Sequence, residues 1–135
     1  MKTNKLTVAI CLDDDFGMTF GGRRQSRDRV LCEKAIALAE NGKFYINSFS
    51  EKLFADFPEP CVNDDMLSLA ADGDICFLEN MTPPNEATDL IVFKWNRRYP
   101  GDMHFEPTKN GFSLVSSEDF EGSSHEKITM EIYKK

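Results

Sequence analysis

A change of rhythm near residue 95 constrains this chain more than any other feature. Before it, short apolar runs alternate with helical periodicity and turn-rich connections; after it, strand-like runs follow one another with no helix between them. Strands interleaved with helical segments favour a mainly parallel sheet, because parallel neighbours need a crossover connection. A helix-free tail favours an antiparallel hairpin added at the edge of that sheet. The 135 residues suffice for one hydrophobic core. No repeat, low-complexity stretch or linker divides them, so the expected organisation is a single α/β domain over residues 1–135.

The local signals place the elements. Residues 6–12 (Leu-Thr-Val-Ala-Ile-Cys-Leu) form a β-prone run that becomes apolar on both faces, as an interior strand must. Asp13-Asp14-Asp15-Phe16-Gly17 breaks it. Leu31, Ala35, Leu38 and Ala39 recur at helical spacing, which predicts a helix over 27–41 with Ser26 as its cap, Asp28 in its first turn and Gly42 at its end. Residues 43–47, 75–78 and 90–93 read as further strands, with a short helical turn capped by Ser50 and a second helix over 64–71 capped by Asn63. Residues 112–134 carry the hairpin. Alternation there should send Ile128, Met130 and Ile132 to one face and Thr129, Glu131 and Tyr133 to the other.

Charge and composition exclude several functions. Lys and Arg number 16 against 23 Asp and Glu, a net charge of −7, which opposes the phosphate neutralisation on which nucleic-acid binding depends. No apolar run approaches the roughly 20 residues of a membrane span. Only seven mostly apolar residues separate the N-terminal 1–5 from Asp13-Asp14-Asp15, too few for a secretory signal, so the expected location is the cytoplasm. Cys11, Cys32, Cys61 and Cys76 form no CxxC pair and are expected as reduced thiols, Cys11 and Cys76 as small buried hydrophobes. The chain has two His, His104 and His125, both expected to be structural or exposed, with no Ser-His-Asp spacing, G-x-G-x-x-G or Walker loop. A metal is not expected. Two-metal hydrolysis of the ribonuclease Z kind needs a His-x-His-x-Asp-His cluster, which these residues cannot assemble.

The order of elements, together with several short stretches, resembles the dihydrofolate reductase family. Gly101-Asp102-Met103-His104-Phe105 ahead of the final hairpin, and a last strand ending Tyr133-Lys134-Lys135, are similar to that family's closing strands. Val8-Ala9-Ile10 through Phe16-Gly17-Met18 resembles its first strand and the start of its mobile active-site loop. Residues 27–41 fall where its substrate-binding helix falls. Ile46-Asn47 followed by Ser50 sits at its Gly-Arg-x-Thr motif, and residues 72–78 resemble the strand before its double glycine. The resemblance implies a mixed, mainly parallel sheet flanked by helices and, for Asp28, the role of the acid that anchors and helps protonate a pterin ring.

The departures fall on one cofactor. Glu79-Asn80 stands in place of the diglycine, and a side chain with negative charge is poorly suited beside a pyrophosphate. Asn47-Ser48 replaces the Gly-Arg pair, and the segment that would hold the adenosine end is largely missing between Phe54 and Asn63. NADPH is therefore expected to bind weakly or not at all, and no other cofactor is predicted. Arg23, Arg24, Arg27 and Arg29 make a dense basic cluster behind Gly21-Gly22. With Asp28, Arg23, Arg24 and Arg27 form the candidate site for a small anionic or heteroaromatic ligand. The bland alternatives are a first-turn Asp that needs no ligand and Arg residues paired with Asp13, Asp14 and Asp15. Two further readings stand beside this one: a minimal NADPH-dependent pterin reductase, and a self-association module built on the hairpin. Oligomeric state is not legible.

Overall fold

The computed structural model describes residues 5–39 and 42–135. Its main sheet is built from β1 (Thr7–Leu12), β4 (Phe44–Ile46), β5 (Cys61–Val62), β6 (Ile75–Phe77), β7 (Asp89–Lys94), β9 (Ser113–Phe120) and β10 (Ile128–Lys134). The strand order is β5-β4-β6-β1-β7-β10-β9. The first five are parallel, and β10 and β9 join antiparallel at the far edge. Between β1 and β4 lie β2 (Gly17–Phe20), β3 (Arg23–Arg24) and helix α1 (Arg29–Ala37); α2 (Met66–Leu69) and β8 (Met103–His104) complete the strands and α-helices of the described residues. β3, β2 and β8 form a separate antiparallel sheet.

The expected change of rhythm is a change of strand direction. β1 lies between two parallel neighbours, and the tail is the expected hairpin. Alternation along β1 puts Val8, Ile10 and Leu12 into one core and Ala9 and Cys11 against the other. The core on the Ala9 and Cys11 face takes α1 through Leu31, Cys32 and Ala35, together with Phe44, Phe54 and Phe77. Phe54 and Phe77 meet edge to face, with ring centroids 5.2 Å apart. Burial of a ring such as Phe77 contributes about 2–3 kcal/mol. Ile128, Met130 and Ile132 face this core while Tyr133 faces the other. The alternation holds across a bulge in which β9 carries one extra residue, Val115, opposite the step from Ile132 to Tyr133.

The helices are shorter than their periodicity predicts. The α-helical part of 27–41 is Arg29–Ala37, because Asp28 with extended backbone (φ −154°, ψ 126°) is its N-cap. Asp outcompetes Ser26 for that place because its Oδ1 accepts the Leu31 N–H at 3.1 Å. The end tightens through Leu38 and Ala39, whose N–H groups reach back three residues; residues 40 and 41 lie outside the described residues. The second helix is a single turn rather than 64–71. Its N-cap is Asp65, with no side-chain cap bond, rather than Asn63, whose side chain accepts the Asp65 N–H at 2.8 Å in the turn ahead of the helix. Ser50 does not cap its turn but ends a 3-10 segment, Ser48–Ser50.

Candidate functional site

The C-terminal ends of parallel strands form the edge where ligands meet open α/β sheets. Here that edge gathers buried polar side chains. Asp13 follows β1, Asn47 follows β4 and Glu79 follows β6, each at most 8% exposed. Trp95 follows β7, and His125 comes in from the hairpin loop ahead of β10 to stack on it, with ring centroids 4.7 Å apart and planes at 29°. Asp28 reaches the same edge from the start of α1.

Asp28 is the most heavily engaged carboxylate of this edge. Its Oδ1 accepts the N–H groups of Leu31 and Ser123, and its Oδ2 accepts the Ser124 N–H at 2.8 Å and His125 Nδ1 at 3.0 Å. The Ser123 and Ser124 hydroxyls add two longer bonds, 3.3 and 3.2 Å. Burial by itself raises the carboxyl's pKa, but the Ser123 and Ser124 N–H groups, His125 and Leu31 outweigh it and hold the group well below the usual carboxylate range. Asp28 thus ties the helix start to a loop almost 100 residues away in sequence.

The basic cluster does not act as a unit. Arg23 is exposed on β3. Arg24 is committed: its Nε and a second guanidinium nitrogen donate to both Glu79 oxygens at 2.8 and 2.9 Å, and its guanidinium lies over the Phe49 ring. Ser50 Oγ donates to the same Glu79 at 2.7 Å. The turn that departs from the diglycine therefore carries a closed ion pair. Arg27 is exposed beside Asp28, and both line a small pocket of about 100 Å³ with Arg29, Cys32, Leu53, Asp56 and Phe57. Arg29 is shared with Glu33, 3.3 Å away.

Among the described residues this cluster does not pair with the Asp13–Asp15 run, contrary to one of the alternatives above. Asp13 instead accepts N–H groups from Asp15, Gly17 and Tyr99 and the Gln25 side chain, while Asp15 pairs with Arg98 at 3.0 Å. Asp13 is buried, which raises its pKa, yet these donors bring it below its ordinary value. A Cβ on Gly17 would come 2.7 Å from Gln25 Nε2 and 3.0 Å from Asp13 Oδ1; the glycine is what lets the loop close on this carboxylate.

The cysteines carry no disulfide among the described residues. Burial first, then the Glu79 charge, push the Cys32 thiol up to about 12; the same two causes raise Cys11 well above its ordinary value. Neither is a nucleophile at neutral pH. Cys11 is half-buried rather than fully buried, unlike Cys76. His104 is exposed. His125 is the residue that sequence spacing underrated. Its Nε2 lies 3.1 Å from Ser26 Oγ and 3.1 Å from the Tyr99 hydroxyl. Ser26, Asp28 and His125 thus assemble a Ser-His-Asp geometry that no linear spacing announces, since the partners are up to 99 residues apart.

No helix of the described residues is long and apolar enough to cross a membrane. No family model and no curated protein matches the chain in sequence. Among solved structures it is similar to the dihydrofolate reductase from Enterococcus faecalis complexed with NADP(H) and RAB-propyl. That similarity has a TM-score of 0.61 at 11% identity, over 96% of this chain and 95% of the other. The chain has a dihydrofolate reductase-like fold.

Proposed function

We propose that the chain binds a small heteroaromatic or anionic molecule at the start of α1 and does not carry the standard reductase reaction. The pocket beside Asp28 supports this reading: Phe57, Leu53 and Cys32 offer apolar walls to a ring, and Arg27 offers a guanidinium to an anionic substituent. Asp28 acts there as a positioning residue, because each of its oxygens already accepts three donors. A pterin N–H could reach it only if loop 122–125 withdrew. The Glu79–Arg24 pair argues against NADPH, since a pyrophosphate in that turn would have to displace a buried carboxylate and its partner.

Calorimetric titration with NADPH, dihydrofolate, diaminopyrimidine and sugar phosphates tests the proposal. Binding of an aromatic or anionic member should weaken about 10- to 100-fold in Arg27→Ala, with NADPH weak or silent. Low-micromolar NADPH binding with hydride transfer to a pterin would favour the minimal reductase instead.

Self-association has one observation of its own. β9 is a sheet edge eight residues long, with Leu114 and Val115 more than half exposed, and such an edge is a template for pairing. Light scattering across a concentration series tests it; a monomer at every concentration would exclude it.

A further inference from the structure

We infer that Ser26, His125 and Asp28 form a nucleophile array that hydrolyses small carboxylic esters through an acyl group carried on Ser26. The argument starts from where the protons must lie. The Asp28 carboxylate is held ionised by its N–H donors and can only accept. In the neutral imidazole, His125 Nδ1, 3.0 Å from it, is therefore the protonated nitrogen, which leaves the lone pair on Nε2. Two hydroxyls compete for that lone pair, Ser26 Oγ and Tyr99 OH, each at 3.1 Å. Tyr99 OH also lies 3.3 Å from Ser26 Oγ, in position to donate to it. When it does, Ser26 gives its own proton to His125, and the order of donation is Tyr99 to Ser26 to His125 to Asp28.

The array is buried at its base and partly exposed at Ser26. The His125 and Asp28 side chains are 2% and 0% exposed, and Trp95 lies stacked against the imidazole. Ser26 is only half-buried. It sits on the irregular backbone between β3 and α1, where the N–H groups of Ser26 and Arg27 donate to no backbone acceptor among the described residues. Those N–H groups are the donors at hand for an oxyanion. Arg27, exposed next to Ser26, suits an ester bearing a negative charge.

The step balances without a cofactor. Ser26 Oγ bonds to the ester carbonyl carbon as its proton passes to His125 Nε2. The carbon–alkoxy bond breaks and the alcohol leaves with that proton. Water then attacks the acyl carbon, giving a proton to Nε2; Oγ departs and takes it back, releasing the carboxylic acid.

The test uses the full chain with a fluorophosphonate and with p-nitrophenyl acetate. The expected result is one equivalent of phosphonyl mass on the peptide containing Ser26, together with ester turnover that begins with a burst. Both should vanish in Ser26→Ala with its circular dichroism unchanged, and Asp28→Asn should slow both about 100-fold or more, as loss of the imidazole's orienting partner does. A folded wild-type chain that resists labelling, a label on another residue, or turnover that persists in Ser26→Ala would overturn the inference. Ligand binding at the pocket beside Asp28 is read separately by the titration above, so either result can fail without the other.

Discussion

Two of the carboxylates buried at this edge of the sheet, Glu79 and Asp28, are satisfied in opposite ways. Glu79 is answered by a full positive charge, the forked Arg24 guanidinium, with Ser50 closing the remaining direction. Asp28 is answered by neutral donors and one imidazole. The first arrangement ends on itself. The second passes through His125 to two hydroxyls nearer the surface. A buried charge paired with an opposite charge stabilises and then has nothing left to offer, whereas one solvated by N–H groups can still orient a base.

The comparison can be broken most forcefully at Asp28. Asp28→Ala removes the acceptor for three backbone N–H groups and for His125, of which the Leu31 N–H and the imidazole are left buried. The expected loss is about 3 kcal/mol or more in urea denaturation. The same carboxylate gives the protein an acid edge. Its folded-state pKa is depressed, as is that of Asp13, so their contribution is complete above the unfolded value of about 3.9 and is lost as pH falls below it. Wild-type stability should therefore fall steeply below about pH 4, and Asp28→Asn, less stable at neutral pH, should fall less steeply.

Arg24→Met comes next, at about 2–3 kcal/mol, because it strands Glu79 at 8% exposure. The double change Arg24→Met with Glu79→Gln should recover much of that loss. Full additivity of the two changes would show that the pair is not coupled.

The smallest expected effect sharpens the comparison at the loop that covers Asp28. A Cβ on Gly122 would meet Asp28 Cγ and Ile128 Cδ1, each at 2.9 Å. Gly122→Ala should cost about 1–2 kcal/mol by pushing the loop off the carboxylate. It should also raise hydrogen exchange at Ser123 and Ser124, which Arg24→Met should leave alone.

Local patterning determined the architecture of this chain. The apolar run of residues 6–12, the alternation through Ile128–Tyr133 and the loss of helical period after residue 95 report burial on a sheet face, and burial repeats with the geometry of the element that causes it. The helix was legible, but its first residue was not, because Ser26 and Asp28 are both good caps; Asp28 takes the Leu31 N–H, and a loop from the other end of the chain holds it there. The departure of Glu79 from a glycine was visible in the sequence; its pairing with Arg24, 55 residues away, was not. His125 shows the same limit, since its meaning lies in Ser26, Asp28, Trp95 and Tyr99. Hydrogen bonds and ion pairs act over about 3 Å in space and carry no period along the chain. Only the tertiary structure, by bringing the hairpin loop over the start of α1, decided which polar residues meet.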